Sequence, residues 1–316
     1  MSVAETGSVK TRTIRFHNYG EPADVLRLEE AELGGPGAKR IRVRVHACGL
    51  NPADWALCRG LFAGNLPRGI GLDISGTVDA VGEGVEDVAV GDEVLGPADF
   101  AGAPVAGASD FAILHSWTHR PSGLNPVEAA ALPLAVETAF RNLEILRVGA
   151  GQTILVHGAG TAVGFAAVQM ALMRGARVIA TAGETFAEQL RTLGAAVTLY
   201  GDGMVERVLA ITGKSPDLIL DAAPVSGVLP ALIKIAGDPS HVLTISDFAA
   251  AKELGVRNSL GEDPALRWDA LGGFAQLAAE GKFTVPVNRT FPLEDWRIAL
   301  DLSQGQRAHG KIVLLP

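Results

Sequence analysis

The feature that most constrains the fold is a regular alternation of short apolar strands and helices between residues 153 and 246. The predicted strands are TILVHG, RVIATA, AVTLY, DLILDAA and HVLTIS, and each is separated from the next by a segment with helical spacing of apolar residues. Apolar strands joined by helices are typical of a parallel sheet that is covered on both faces. The sequence therefore predicts a doubly wound α/β domain.

A glycine-rich turn joins the first of these strands to the first helix. Its glycines, Gly158, Gly160 and Gly164, are spaced GxGxxxG, and Val163 stands where the common GxGxxG has its third glycine. Glycines permit a tight turn and bring backbone N–H groups close to a pyrophosphate at a helix N-terminus. The loop alone is equally compatible with a turn that binds nothing. Within the βαβ unit of about 30 residues from 153 to 182, it predicts a dinucleotide site.

The end of the second strand bears on the choice of nicotinamide cofactor. Enzymes that use NAD usually have an acidic residue there to bind the ribose 2′-hydroxyl. This strand ends Ala180, Thr181, Ala182, Gly183, without a carboxylate, which favours NADP(H). Glu184 follows and no Arg or Lys comes promptly, so NAD(H) is not excluded.

A second, β-rich region precedes this domain. Segments such as KRIRVRVHACGL alternate polar and apolar residues with period two, and the composition changes near Pro126, where Ala, Leu and Glu take helical spacing. A final apolar segment, KIVLL, is expected to return to the first region as a strand. We predict a β-rich catalytic domain from residues 1–124 and 287–316 and a dinucleotide-binding domain from residues 125–286.

Charge and composition exclude several classes of protein. The net charge of −8 and the absence of Lys/Arg runs argue against a nucleic-acid partner. Residues 1–12 are polar and no stretch of about 18 apolar residues occurs, so neither a signal peptide nor membrane association is expected, and the cytoplasm is the predicted location. Cys48 and Cys58 fit neither a disulfide framework nor a CxxC zinc pair and are predicted to be buried or incidental thiols.

Several segments together resemble one family. They are ACGLNPADW (47–55), the glycine-rich stretch 71–96, LPLAVETAF (132–140), ILVHGAGTAVG (154–164) and the terminal HGKIVLL (309–315). Over nearly its whole length the chain resembles the medium-chain dehydrogenase/reductase superfamily, and within it the zinc-free quinone oxidoreductases, the zeta-crystallin-like branch. The resemblance implies a GroES-like catalytic domain beside a Rossmann domain. It also implies a homodimer formed through the edge of the Rossmann sheet near HVLTISDF.

The resemblance also predicts that the protein works without zinc. Metal-dependent members of the superfamily have Cys in place of Asn51, a His-Glu pair where Leu72 and Asp73 stand, and a four-cysteine loop that this chain lacks. Leucine cannot bind zinc, and two cysteines cannot form a Cys₄ site. Without a Lewis acid, hydride is better transferred to a small, apolar and electron-poor acceptor such as a quinone or an α,β-unsaturated carbonyl.

Position by position, the resemblance implies three groups of site residues. They are catalytic Asn51, Asp54 and Thr138; substrate-cleft Trp55, Arg59 and Phe62; and cofactor-binding Gly158, Ala159, Gly160, Ala162, Val163, Gly164, Thr181, Gly183, Tyr200, Ser246 and Lys311. Structural alternatives stay open for six of them: a turn role for Asn51, loop fixation for Asp54, packing for Trp55, a contact to another loop for Arg59, a strand-end aromatic for Tyr200 and a structural role for Lys311. His157 is interpreted as a structural residue, and loops 58–69 and 96–111 are expected to line an apolar cleft.

The chain departs from the family mainly at the residue that would donate a proton in the reaction. Many relatives have a tyrosine where this chain has Ala56, placed to protonate the enolate that hydride addition produces. A bound water would then serve, since a general acid contributes about 10²–10⁴-fold. The leading hypothesis is an NADPH-dependent reductase of quinones or activated alkenes. The alternative is an NADP(H)-binding protein with a non-redox role, as a sensor, a scaffold or a ligand-shaping enzyme. Single-stranded RNA binding, occasionally found in this family, is disfavoured by the acidic charge.

Overall fold

The computed structural model of the protein describes residues 7–99, 103–262, 265–305 and 308–316. Residues 1–6 of the polar N-terminal segment and residues 100–102 of the loop expected to line a cleft lie outside this part. The chain divides into two units, one formed by residues 1–134 and 271–316 and the other by residues 135–270.

The strands of the described residues are β1 (Val9–Phe16), β2 (Leu26–Leu33), β3 (Ile41–Leu50), β4 (Arg68–Gly69), β5 (Asp73–Val81), β6 (Glu93–Pro97), β7 (Phe111–Leu114), β8 (Thr118–His119), β9 (Thr153–His157), β10 (Arg177–Thr181), β11 (Ala196–Thr198), β12 (Leu218–Asp221), β13 (Val242–Thr244), β14 (Arg257–Asn258), β15 (Val287–Pro292) and β16 (Lys311–Leu315). The helices are α1 (Pro22–Val25), α2 (Pro52–Cys58), α3 (Pro126–Ala129), α4 (Pro133–Ile145), α5 (Ala162–Met173), α6 (Glu184–Leu193), α7 (Met204–Thr212), α8 (Leu229–Ala236), α9 (Phe248–Leu254), α10 (Ser259–Glu262), α11 (Leu271–Ala279) and α12 (Trp296–Gln304). Short 3₁₀ turns cover Pro239–His241, Trp268–Ala270 and Leu293–Asp295.

The β-rich unit is built on a seven-stranded sheet with the order β15-β16-β3-β5-β6-β8 and β7 paired to β3. A separate three-stranded sheet has the order β2-β1-β4. The final strand, β16, runs antiparallel to β3, with Ile312 opposite Leu50 and Val313 opposite Gly49. The apolar C-terminal sequence KIVLL thus completes the sheet that the period-two sequence of β3 begins.

The other unit contains a six-stranded sheet with the order β11-β10-β9-β12-β13-β14, and all neighbouring strands are parallel. The interiors of β9, β10, β12 and β13 are apolar and buried because a parallel sheet with helical crossovers is covered by its helices. The predicted doubly wound α/β class is confirmed. The strand predicted near HVLTISDF is β13, but β14 pairs beyond it, so β14 is the edge of the described sheet. Two residues are too few to reveal such a strand by periodicity.

The limits of the units differ from the predicted domain boundaries. Residues 125–134 and 271–286, predicted to belong to the dinucleotide domain, cluster with the β-rich unit. The carbonyl oxygen of Ala130 packs against Gly49, so closely that a Cβ on Gly49 would lie 2.2 Å from it. The backbone N–H of Leu134 donates to Asp73 over 2.8 Å. The composition changes where α3 begins, whereas these contacts assign α3 to the β-rich unit.

Candidate functional site

A row of polar side chains crosses the parallel sheet at one register position, where the strands end. Its members, in sheet order, are Thr198, Thr181, His157, Asp221, Thr244 and Asn258. The strand order reverses between β9 and β12, so His157 and Asp221 flank the switch point of the sheet. In open α/β sheets, ligands bind outside the carboxyl ends of the strands at such a point.

The glycine loop begins directly after β9. Gly158 has φ +74°, and a Cβ on it would lie 2.6–2.8 Å from backbone and side-chain atoms of Ala223. Thr161 is the N-cap of α5: its hydroxyl accepts from the N–H of Gly164 over 3.0 Å and lies 3.0 Å from the carbonyl oxygens of Gly158 and Ala222. At position 158, only glycine allows both the positive φ of the turn and the close approach to Ala223.

The unusual spacing of the glycines has a geometric explanation. A Cβ on Gly164 would lie 2.2 Å from the carbonyl oxygen of Gly158, so Gly164 permits the close packing of helix against loop. Ala162 and Val163 form the first turn of α5 and are half-buried. At Gly160 the nearest atom to an added Cβ is a ring carbon of Phe186, 3.3 Å away. In GxGxxG the third glycine allows close packing of the helix. In this chain Gly164 does so, one residue later in the sequence.

The end of β10 is tied to this loop through Thr181. Its hydroxyl lies 2.8 Å from Nδ1 of His157 and accepts from the N–H of Gly158 over 3.2 Å. Burial lowers the pKa of His157 to about 4, so the ring is neutral at physiological pH. This geometry agrees with a structural role for His157.

The predicted adenosine-side residues lie in two neighbouring loops. Tyr200 is 59% exposed, and its hydroxyl would lie 3.7 Å from a Cβ on Gly183, at the start of α6. Arg207 holds the loop that carries this tyrosine, donating to the carbonyl oxygens of Leu199 and Asp202 over 2.9 and 2.7 Å. Arg207 was not predicted from the sequence; it follows the strand end at Thr198 by nine positions.

Two residues at the ends of β12 and β13 fix the next loops. Asp221 accepts from the hydroxyl of Thr244 over 2.8 Å and from the N–H of Ala223 over 3.2 Å. Burial raises the pKa of Asp221 to about 6. Ser246, a predicted cofactor residue, donates its hydroxyl to the carbonyl oxygen of Ala223 over 2.7 Å. Asp221 was not predicted, although the carboxylate that ends the apolar run LILD is a visible signal.

The loop fits a dinucleotide pyrophosphate. Added Cβ atoms at Gly158 and Gly164 would collide with neighbouring backbone, and the start of α5 supplies backbone N–H groups for an anion. Ala159 is fully buried beside these groups. Ala162, the first residue of α5, is half-buried.

The β-rich unit contains a buried polar cluster around Lys311. The ammonium of Lys311 donates to Asp73 Oδ2 over 2.6 Å and to Asn51 Oδ1 over 2.5 Å. The amide nitrogen of Asn51 donates to the same Asp73 oxygen over 3.0 Å. All three side chains are buried. Lys311 was predicted to bind cofactor, with a structural role as the alternative. Its side chain forms a buried ion pair with Asp73, which agrees with the structural alternative.

Asp54 is held in a similar way. Its carboxylate oxygens accept from the N–H groups of Asn51 and Gly71, each over 2.7 Å. Burial raises the pKa of Asp54 to about 6, against the effect of these hydrogen bonds. These contacts join the start of α2 to the loop before β5. They agree with the alternative prediction that Asp54 fixes a loop.

Thr138 lies in α4, beside a buried ion pair. Its hydroxyl donates to Glu137 over 3.1 Å, and Glu137 accepts from Arg141 over 2.6 Å. Glu137 and Arg141 are almost inaccessible to solvent. This pair was not predicted, although the spacing of four residues on one helix is a recognisable signal.

The predicted substrate-cleft residues differ in their surroundings. Trp55 is 4% exposed in the hydrophobic core and donates its indole N–H to Ser303 over 2.8 Å, which are the surroundings that its packing alternative predicts. Arg59 forms a two-pronged ion pair with Glu21, with a shortest distance of 2.7 Å, which matches its alternative as a contact to another loop. Phe62 is 55% exposed and has φ +52°.

The positions that bind zinc in metal-dependent relatives have other surroundings here. Asn51 and Asp73 are bound to Lys311, and Leu72 is buried. Among the described residues, no three His, Cys, Asp or Glu side chains group in a way that would hold a metal. Burial raises the pKa of the Cys58 thiol to about 12 and also raises the pKa of the Cys48 thiol well above its ordinary value. No helix of the described residues has the length and apolar character to span a membrane.

The parallel sheet carries a glycine loop at its switch point, and the chain also contains a β-rich unit. These features together define a two-domain oxidoreductase fold. The family models "Alcohol dehydrogenase GroES-like domain" and "Zinc-binding dehydrogenase" match residues 37–112 and 162–267. Quinone oxidoreductase of Pseudomonas aeruginosa is 30% identical over 96% of this chain and 99% of its own. Rat quinone oxidoreductase is 34% identical over 58% of this chain and 56% of its own. The solved quinone oxidoreductase of Coxiella burnetii is 26% identical, covers 98% of this chain and 100% of its own, and has a TM-score of 0.83.

The chain therefore belongs to the medium-chain dehydrogenase/reductase family, in its quinone oxidoreductase branch. The predicted combination of a GroES-like domain with a Rossmann domain is confirmed. Membership implies an oxidoreductase that uses a nicotinamide cofactor, NAD or NADP.

The close packing at Gly164 leads to a stability prediction. Gly164→Ala forces a methyl group against the carbonyl oxygen of Gly158 and should lower the free energy of unfolding by about 1–3 kcal/mol. Gly273→Ala is the matched control: this helical glycine has nothing within 4 Å of an added Cβ, and the change should be neutral or stabilising by about 0.5–1 kcal/mol. Urea unfolding measures both, and equal effects would contradict the packing argument.

The buried cluster leads to a second stability prediction. Lys311→Met leaves the carboxylate of Asp73 buried without its cation and should cost about 3–5 kcal/mol in urea unfolding. Adding Asp73→Asn should restore part of this loss, because no charge is then buried. The control is Lys282→Met, in an exposed pair with Glu280, which should change stability by less than about 1 kcal/mol. Equal losses at positions 311 and 282 would refute the role of the cluster.

Proposed function

We propose that the protein is an NADP(H)-dependent reductase that transfers hydride, without zinc, to a quinone or an activated C=C bond of the enone or enoyl type. The observation that carries this proposal is the glycine loop, which fits a pyrophosphate at the switch point of a chain 30% identical to a quinone oxidoreductase. The acceptor is a small, apolar, electron-poor molecule. The proposed protein is a cytoplasmic homodimer that forms through the edge of the Rossmann sheet near β13, where β14 is the last described strand.

The proposed independence of zinc rests on the residues at the ligand positions. Leu72 has no donor atom for a metal, and the ammonium of Lys311 already binds Asn51 and Asp73. A cation held by those two side chains repels a second cation. An acceptor that is electron-poor from the start does not require Lewis-acid activation.

In the proposed reaction, the bound cofactor supplies a hydride to the acceptor. The loop of Gly158 and Gly160 would hold the pyrophosphate by its backbone and by the N-terminus of α5. By resemblance, Asn51 and Thr138 would line the nicotinamide and the substrate, and each side chain is hydrogen-bonded within its own unit. Since Ala56 has no proton to give, a water protonates the enolate.

The proposed preference for NADP(H) rests on the adenosine-side loops. No carboxylate stands at Thr181 or Gly183 to repel a 2′-phosphate, and the hydroxyl of Tyr200, an exposed residue, lies beside Gly183. Glu184, exposed at the first position of α6, opposes the preference by its charge. We therefore expect binding of both cofactors, with NADPH bound more tightly.

A second candidate function is cofactor binding without hydride transfer, in a sensor, a scaffold or a ligand-shaping enzyme. Two observations favour it. Ala56 removes the acid of many relatives, and the polar atoms of Asn51 and Asp54 are engaged within the unit. The two candidates differ in whether hydrogen leaves the nicotinamide.

Label transfer distinguishes these functions. With a metal chelator present, NADPH carrying deuterium at C4 is mixed with the protein and with a p-quinone, an enone or an enoyl thioester. We expect NADPH oxidation and deuterium transfer from one face of the nicotinamide. Tight NADPH binding without turnover of any acceptor would support the second candidate, and failure to bind either NADPH or NADH would overturn both.

Charge reversal at Glu184 tests the cofactor preference. Glu184→Lys replaces repulsion of the 2′-phosphate by attraction and should tighten NADPH binding about three- to tenfold while leaving NADH unchanged. Glu188→Lys makes the same charge change one turn along α6, where the side chain is 87% exposed, and should have a much smaller effect. Fluorescence titration with each cofactor measures the dissociation constants. Equal tightening of NADPH and NADH would refute the placement of the 2′-phosphate.

A further inference from the structure

Asp221 is a buried carboxylate that the proposed function does not use. It ends β12, one strand beyond β9, at the switch point of the sheet. The residue is 2% exposed, in a strand whose other members are apolar. A carboxylate in such a place is costly unless its oxygens are bound, so its hydrogen bonds indicate what it holds.

One carboxylate oxygen of Asp221 directs the loop after β13. Oδ2 accepts the hydroxyl proton of Thr244 over 2.8 Å. Because this proton is committed to Asp221, the Thr244 oxygen is left to accept, and it takes the backbone N–H groups of Ser246 and Asp247, each over 3.3 Å. Asp221 thereby sets the conformation of the chain that follows β13.

The other oxygen directs the loop after β12. Oδ1 accepts from the N–H of Ala223 over 3.2 Å, and Ser246 donates to the carbonyl oxygen of the same residue over 2.7 Å. Ala223 lies directly against Gly158, and the carbonyl oxygen of Ala222 lies 3.0 Å from the hydroxyl of Thr161. The two loops and the glycine loop are thus joined through one carboxylate.

The position of these loops indicates which half of a dinucleotide they meet. The ribose of the adenosine half is recognised at the end of the second strand, here β10, and the pyrophosphate lies at the turn after β9. A dinucleotide that crosses the switch point therefore places its nicotinamide half beyond β9, over β12 and β13. Those are the strands whose loops Asp221 fixes.

We propose that Asp221 is a positioning residue for the nicotinamide half of the cofactor, acting through Thr244 and the 222–223 turn. The inference rests on the proposed dinucleotide binding and adds a residue that shapes one half of that site. Asp221 itself makes no contact with the cofactor. It holds the backbone groups of the loops after β12 and β13 in the conformation that the nicotinamide ribose and ring require.

The test compares a whole dinucleotide with its adenosine half. NADPH and adenosine 2′,5′-bisphosphate, which lacks the second phosphate, the second ribose and the nicotinamide, are titrated by calorimetry against the full chain and its variants. Asp221→Ala should weaken NADPH binding about tenfold and leave the binding of adenosine 2′,5′-bisphosphate within about twofold, since the adenosine side retains its contacts. Asp221→Asn, which keeps one acceptor oxygen, should lose less than Asp221→Ala.

Two further variants keep the test decisive. Thr244→Val removes the same hydrogen-bond chain without a change of charge and should reproduce the selective loss even where Asp221→Ala does not fold. Asp217→Asn is the matched control at the opposite end of the strand, where the carboxylate accepts from the N–H of Thr153 over 2.7 Å. It should leave both affinities unchanged.

The outcomes separate the inference from the function on which it rests. Equal weakening of both ligands in the Asp221 and Thr244 variants would show a general structural role and overturn the inference. Unchanged affinity for both ligands would also overturn it. If the wild-type protein binds neither NADPH, NADH nor adenosine 2′,5′-bisphosphate, the proposed function fails first, before any variant is compared.

Discussion

The buried ion pair of Lys311 with Asp73 is the interaction on which the β-rich unit depends. It joins the last strand of the chain to β5, and through Asn51 it reaches the start of α2. The second oxygen of Asp73 accepts from Leu134 at the start of α4. Two desolvated charges are tolerated only when their remaining hydrogen-bonding capacity is satisfied, so these elements meet in one arrangement.

In the dinucleotide-binding unit, close backbone contacts rather than an ion pair fix how the elements are arranged. Gly158 and Gly164 have no Cβ, and this lets the loop, the helix and the 222–223 turn approach within contact distance. The polar row at the ends of the strands then binds the loops with neutral hydroxyls, a neutral imidazole and one carboxylate. Since these groups bind one another, the loop is shaped before a cofactor arrives, and less entropy is lost on binding.

The parts of the fold that depend on local pattern could be predicted from the sequence, and the parts that depend on tertiary pairing could not. Apolar strands alternating with helices indicate the parallel sheet, and the glycine loop is visible in its βαβ unit. The partner of Lys311 is 238 residues away, and no spacing rule connects them. Trp55 shows the same limit: its position in a family motif favours a cleft, whereas its surroundings are a hydrophobic core.

The hydrogen bonds of the cluster also bear on the source of the proton in the proposed reaction. The polar atoms of Asn51, Asp54 and Lys311 form hydrogen bonds within the unit, and these bonds hold the three side chains in place. Ala56 has no group that can donate a proton. General acid catalysis contributes about 10²–10⁴-fold, which is a small part of a typical enzymatic rate enhancement. Replacement of a family acid by Ala56 therefore slows the proposed reduction without abolishing it, provided that water reaches the enolate.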